Sequence, residues 1–333
     1  MTQRGRTRRA AREWLRRQIP LAVRRGLRHA LAAVLRRLIG PYGVRRLQER
    51  LRFARDVQVH ALPPIFHYWS NTHLRPLLES VGCTSPDNFL ASAVHERVHR
   101  SDMVRVLSIG AGNCELELGI LATLPEASRT RLRIVCVDLV PEMLARGSAQ
   151  AHELGLDTCV EFVCADFNDW PGMDRGFDVV IANQCLHHVQ ALESLMDRIA
   201  RWLRPGGSFL VSDMIGRNGH QRWPEALQRL QPFWAELPRG HRYNRQLARQ
   251  EDRFLDWDCS TEGFEGIRSQ DILPLLCARF GFVRFFAWGN LIDPFVDRAF
   301  GPNFDAGDAR DRDFIDRVHA ADAAAIDAGE ITP

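Results

Sequence analysis

Through the middle of the chain, short apolar runs alternate with stretches of helical spacing. Val104–Ile109, Leu132–Asp138, Val160–Ala165, Phe177–Ala182 and Ser208–Asp213 are rich in β-branched and aromatic residues and short enough to be buried strands. Between them, Leu116, Leu118, Ile120 and Leu121 recur on a helical face. Pro141-Glu142-Met143-Leu144 opens a helix with proline in its first turn, and Leu203-Arg204-Pro205-Gly206-Gly207 stops another. Strands that read as continuous apolar runs and alternate with helices predict an α/β fold, a mostly parallel sheet with helices on both faces. Phe282–Trp288 reads as a sixth strand, no seventh can be placed, and the acidic stretch 293–313 beyond it reads as loop.

The polar residues of this region sit at the strand ends. Ile109-Gly110-Ala111-Gly112 closes the first strand, and two residues without a Cβ let the backbone turn sharply and approach a ligand, with the N–H groups of a helix starting near Cys114 aimed at the same place. A dinucleotide fingerprint would place a third glycine at position 115, where this chain has Glu115, so NAD is disfavoured. Asp138 ends the second strand, 28 residues after Gly110, where a carboxylate can accept both hydroxyls of a ribose. Asp166 follows the third strand and could accept from an adenine amino group, with Phe167 packed on the ring. Asn183 and Gln184 follow the fourth, and His187 and His188 come next. Gly110/Gly112, Asp138, Asp166 and Asn183 therefore share the carboxyl edge of one sheet, where open α/β sheets bind ligands.

Five of these motifs, in order, resemble the class I S-adenosylmethionine (SAM) dependent methyltransferases: Ile109-Gly110-Ala111-Gly112, Val137-Asp138, Ala165-Asp166-Phe167, Phe177-Asp178-Val179-Val180 and Leu203-Arg204-Pro205-Gly206-Gly207. The resemblance covers about 103–215, continues more weakly to about 290, and implies a Rossmann-like fold. It implies SAM as cofactor, held by Gly110, Ala111, Gly112, Asp138, Leu139, Asp166, Phe167 and Asn183, and methyl transfer to an acceptor that it does not specify; a small molecule or glycan is expected, with oxygen favoured over nitrogen, carbon or sulfur because the histidine pair could deprotonate a hydroxyl. The family often carries an acid two residues before the first glycine, where this chain has Ser108, so Glu115, Asn183 or an amino-terminal residue is expected to serve the methionine amino group. On a helix beginning near Leu186 the rings of His187 and His188 would diverge by about 100°. His188 is the first choice for general base and His187 the second, because a neutral imidazole suits removal of a hydroxyl proton. No metal is expected. A nicotinamide oxidoreductase and a non-catalytic SAM-binding protein remain as rivals, and so does a nucleic-acid methyltransferase, although no Asn/Asp-Pro-Pro-Tyr/Phe motif follows the fourth strand.

Charge changes the picture outside the core. Residues 1–55 hold 17 arginines against Glu13 and Glu49, while the remaining 278 residues carry 27 basic and 39 acidic groups, so the two parts need different partners. Leu27, Leu31, Val34, Leu35 and Leu38 recur at helical spacing among arginines, which predicts a basic amphipathic arm over 1–55. It would either lie on an anionic membrane surface or pack its leucines on the body. Residues 56–100 read as a helical cap or lid, with His67, Tyr68 and Asn71 facing substrate. Residues 101–290 read as the core, with an insertion at 216–266 as a substrate wall bearing His241 and Tyr243, and 291–333 as loop and terminal helix. Eight cysteines without a C-x-x-C pair suit reduced packing residues. Together with the absence of lysine, they suggest a bacterial cytoplasmic protein, peripheral on a membrane if the arm binds one.

Overall fold

Five strands form a parallel sheet in the order β3-β2-β1-β4-β5, comprising β1 (Val104–Ile109), β2 (Leu132–Asp138), β3 (Val160–Cys164), β4 (Phe177–Asn183) and β5 (Leu203–Ser212). The computed structural model describes residues 21–54, 61–172, 175–261 and 263–333, with side chains from Val34 onward apart from Leu35. Successive side chains of a strand point to opposite faces, and here both faces are apolar. Val104, Val106, Ile134, Cys136, Val179 and Ile181 line one face under α2 (Pro86–Arg100), α3 (Glu115–Thr123) and α4 (Pro141–Glu153). Leu107, Ile109, Val135, Val137, Val180 and Ala182 line the other under α5 (Leu192–Trp202) and α7 (Ser269–Arg279). Each fully buried Leu or Ile contributes roughly 1.5–3 kcal/mol, which makes this double layer the main source of stability.

A second core lies outside the sheet. It joins Ile65, Trp69 and Leu78 with Leu230 and Trp234 of α6 (Pro224–Glu236), and with Phe295, Phe304, Phe314 and Val318, the last two on α8 (Ala309–Asp327). The segment expected as a lid therefore divides, since 64–79 enters this second core while Leu90, Val94 and Val98 of α2 belong to the sheet core. The region 293–313 contains a short helix, Asp293–Val296, and a turn, Gly301–Asn303, so it is not plain loop.

Two strand expectations need correction. Phe282–Trp288 is not a strand: Val283 is 94% exposed and Phe282 and Phe285 about half exposed, so its alternation of apolar residues faces solvent rather than a sheet neighbour. The Arg204-Pro205-Gly206-Gly207 run lies within β5 rather than before it. Leu203 already pairs with Phe177, and a register shift between Phe177 and Val179 absorbs the extra residues.

Residues 1–52 form a separate unit from 53–333. Its described part is residues 21–52 of α1 (Leu21–Phe53), a helix broken at Gly40, where φ is 71° ahead of Pro41. Of the five stripe residues only Val34 and Leu38 have described side chains, and both are exposed, at 53% and 75%.

Candidate functional site

The loop after β1 is fixed from below and open above. Amides of Gly110 and Ala111 both donate to Val137 O, which locks the loop to the end of β2. Gly110 has φ 66°, and a Cβ there would come within 2.5 Å of Cys185 Cβ, so only glycine fits. A Cβ on Gly112 would meet only Met143 Cε at 3.1 Å, and Phe167 Cε1 lies 3.8 Å from the Cβ position of Gly110. Asp138 is buried, with Oδ2 accepting from Gly112 N at 2.9 Å and Oδ1 from Val140 N at 2.8 Å. Burial pushes its carboxyl up and these amide donors pull it back. A carboxylate beside a glycine cradle, at the end of the neighbouring strand, fits a ribose, and Leu139 continues the turn beyond it. Asp166 accepts through Oδ1 from Asn168 N at 3.0 Å, holding its turn. Asn183 ends β4 half-buried.

A buried acid stands beside Ser108. Ser108 Oγ donates to Glu117 Oε1 at 2.5 Å, one turn into α3 and beneath the loop. Glu117 is fully enclosed, and burial raises its pKa from 4.5 to about 7 against the opposing Ser108 bond. Its helical position hid it, because a glutamate in a first turn usually faces solvent.

Past β4 the chain enters a short 3-10 turn, Leu186–His188, instead of the helix expected there, so the histidine rings do not diverge. Their centroids lie 4.1 Å apart with planes tilted by 39°. The turn is gripped by Asp213, whose side chain is fully buried just beyond β5. Its Oδ2 accepts from Cys185 N (3.1 Å) and Leu186 N (2.7 Å), and its Oδ1 bonds His187 Nδ1 at 2.6 Å. His187 Nε2 then points at Glu265 Oε1, 3.4 Å away, and His220 Nε2 reaches the same oxygen at 3.1 Å. Burial alone would lower the His187 pKa, but Asp213 and then Glu265 outweigh it and push it up to about 10. Burial also acts to raise Glu265, yet bonds from His187 and His220 hold it well below the usual carboxylate range. Burial keeps His220 below the usual histidine value. His188 is half-buried, and its ring stands edge-on to Phe53 at 6.3 Å.

Asp213, His220 and Glu265 were not anticipated. His220 and Glu265 arrive from the insertion, fastened by Gly219 N to Gly266 O (2.8 Å) and Ile267 N to His187 O (3.1 Å). No local sequence signal marks them; in the structure Cys114, Gln184 and His220 hold left-handed φ of 61°, 53° and 54° without being glycine. The expected substrate residues go elsewhere. Tyr68 Oη donates to Asp316, His241 Nε2 pairs with Asp311 at 3.1 Å, and both acids are on α8. The Tyr243 carbonyl accepts from Asn303, while His67 and Asn71 are exposed. Two of these polar heads thus serve the second core because α8 offers carboxylates opposite them.

A glycine loop, a ribose-type acid at the next strand end and a polar cluster past β4 define a Rossmann-like nucleoside-cofactor site. Residues 107–211 match a family model described as a methyltransferase domain, and this region is a class I SAM-dependent methyltransferase domain with SAM as its cofactor. Among curated relatives, the sterol 4-C-methyltransferase strm-1 of Caenorhabditis elegans is 26% identical over 49% of this chain and 43% of its own. The 27-O-demethylrifamycin SV methyltransferase of Amycolatopsis mediterranei is 30% identical over 33% and 39%. Phosphoethanolamine N-methyltransferase 3 of Arabidopsis thaliana is 35% identical over 24% and 16%. The chain thus spans less than half the length of these relatives. Among solved structures, the [4+2]-cyclase SpnF aligns over 71% of this chain and 67% of its own at 21% identity and TM-score 0.40, too distant to carry an argument.

Glu117 gives a stability test. Its folded pKa of about 7 lies above its ordinary 4.5, so stability is intact below pH 4.5 and falls as pH rises through 7. At about 1.4 kcal/mol per unit the loss is on the order of 3 kcal/mol by pH 8. Glu117→Gln should flatten this decline, with its melting temperature at pH 8 above that of the parent. An unchanged difference between pH 5 and pH 8 melts would show that Glu117 ionises without penalty.

Proposed function

We propose that the protein transfers the methyl group of SAM to a hydroxyl oxygen of a small-molecule or glycan acceptor. The observation that carries this reading is the cluster of His187, Asp213, Glu265 and His220 just past β4, at the sheet edge that holds the glycine loop and Asp138. SAM supplies an electrophilic methyl group on a sulfonium. The chain's own work is to seat the acceptor, exclude water and take the hydroxyl proton. Asp213 orients His187 through Nδ1 and so aims Nε2 at Glu265, which fixes the turn past β4 beside the proposed acceptor. Because Asp213 and Glu265 hold His187 charged, the neighbouring His188 stays the first choice for the base.

The names of the relatives include carbon and nitrogen methylation, so the methylated atom is the point to test. Extracts of the source organism incubated with protein and labelled SAM should yield an O-methylated product by mass spectrometry, whereas a label on carbon, nitrogen or sulfur would overturn the oxygen reading. Asp138→Asn and Asp138→Ala should both weaken binding of S-adenosylhomocysteine (SAH) in calorimetry, by roughly 1.5–3 kcal/mol per charge-assisted bond lost. The asparagine keeps an acceptor for the Gly112 amide, so an unchanged SAH affinity in that variant would remove Asp138 from the ribose. Asp213→Asn should lower turnover by about 10²-fold or more with SAH affinity nearly intact. Equal turnover would mean that acceptor placement alone suffices.

The arm supports a second element of the proposal, attachment to an anionic membrane surface. Val34, Leu38, Ile39 and Leu51 are exposed on a helix that also carries Arg36, Arg37, Arg45, Arg46 and Arg50. Each basic residue near such a surface adds about 1 kcal/mol. No described helix is long and apolar enough to cross a membrane. Deleting residues 1–50 should abolish sedimentation with phosphatidylserine vesicles while sparing SAH binding, and salt should weaken attachment of the full chain. Full retention on vesicles after the deletion would place the contact elsewhere.

A further inference from the structure

We infer that His187, His188 and Glu265 form a binding site for one divalent transition-metal ion. This rests on the same cluster as the proposed function and assigns it a ligand. One ligand atom from each of the three residues lies within 4.8 Å of the other two, and His187 is buried while the others are half-buried. Zinc–nitrogen and zinc–oxygen bonds of about 2.0–2.2 Å at tetrahedral angles place neighbouring ligand atoms about 3.3 Å apart. His187 Nε2 and Glu265 Oε1 already stand at 3.4 Å. An ion could therefore enter with small side-chain rotations.

The surrounding shell supports the same conclusion. A ligating histidine is normally oriented by a carboxylate on its other ring nitrogen, and the buried Asp213 does this for His187 at 2.6 Å. A ligating carboxylate is normally hydrogen-bonded in turn, and His220 does this for Glu265. Asp213 is itself fixed by two backbone amides, so the His187 ring has little freedom to leave the position. Two imidazoles and one carboxylate with open positions are a borderline-soft donor set, suited to zinc, iron or manganese rather than calcium or magnesium. A cation here would polarise an acceptor hydroxyl and lower its pKa, which is the task assigned to the cluster above. His220, in strained left-handed backbone, and Glu265 are the residues that the insertion contributes. The insertion thus completes a site that the sheet only half builds.

The test uses the full chain, stripped with chelator and titrated with Zn²⁺ by calorimetry and with Co²⁺ by visible absorption, with SAH binding measured in parallel. One equivalent of metal per chain is expected, with Co²⁺ bands of a low-symmetry nitrogen–oxygen site. Glu265→Gln and His188→Ala should each weaken Zn²⁺ at least tenfold, and Asp213→Asn, which leaves every ligand in place, by about 10–100-fold. Retained SAH affinity in these variants shows that they are folded, and either ligand variant suffices if the other fails to fold. Absence of stoichiometric binding would overturn the inference, as would binding that neither ligand variant moves. Metal binding without SAH binding would uphold this site and remove the methyltransferase reading. SAH binding without metal would do the reverse.

Discussion

A parallel sheet buried on both faces has nowhere to place polar chemistry except at its strand ends. Leu107, Ile109, Val180 and Ala182 on one side, and Val106, Ile134, Val179 and Ile181 on the other, leave no face for a ligand. Backbone groups inside the sheet are spent on the ladder, whereas at the carboxyl ends they turn outward toward the loops. Every cofactor residue discussed, from Gly110 to Asn183, lies within a few positions of such an end. The register of β1 with β2 and of β1 with β4 brings those ends together, because Ile109 pairs with both Val137 and Ala182. A slip of one residue would move the apolar set to the wrong face, so the packing that stabilises the core also aligns the site.

At that edge the chain buries charge, and how each carboxylate is satisfied decides its role. Asp213 has side-chain exposure of 0% and three partners, two amides and an imidazole. Glu117 has one hydroxyl partner and is pushed toward the protonated acid. Glu265 has two histidines and is held ionised. Proximity to opposite charge, more than depth, separates Glu265 from Glu117.

The sheet, the glycine turn and Asp138 were legible because each is local, a short apolar run ending in a residue whose type suits a turn or a ribose. What was not legible is non-local. Asp213 lies 26 residues from His187, and Glu265 lies 78 away, with no spacing rule to join them. Val283 and Phe285 alternate like a strand, but alternation marks a strand only when a neighbour covers one face. His187 and His188 sit in a turn held by Asp213, and helical geometry could not forecast how closely their rings lie. Tyr68 and His241 have the amphipathic character of pocket residues, and that character equally suits hydrogen bonds to acids on a packed helix.

The two cores divide the labour of the site. Cofactor residues stand on the sheet, where register fixes them. His220 and Glu265 stand on the insertion, whose other end, α6, belongs to the second core. The junction is a backbone clasp: Gly219 N bonds Gly266 O, and a Cβ on Gly219 would fall 2.0 Å from Asp258 Oδ1, so the close approach requires glycine there. Since Ile267 N is tied to His187 O, the clasp also joins the insertion to the turn past β4. The clasp thus links the segment bearing α6 to the turn past β4, while the glycine loop and Asp138 rest on the sheet. This is the physical reason that the cofactor can be read from five strand-end motifs and the acceptor cannot.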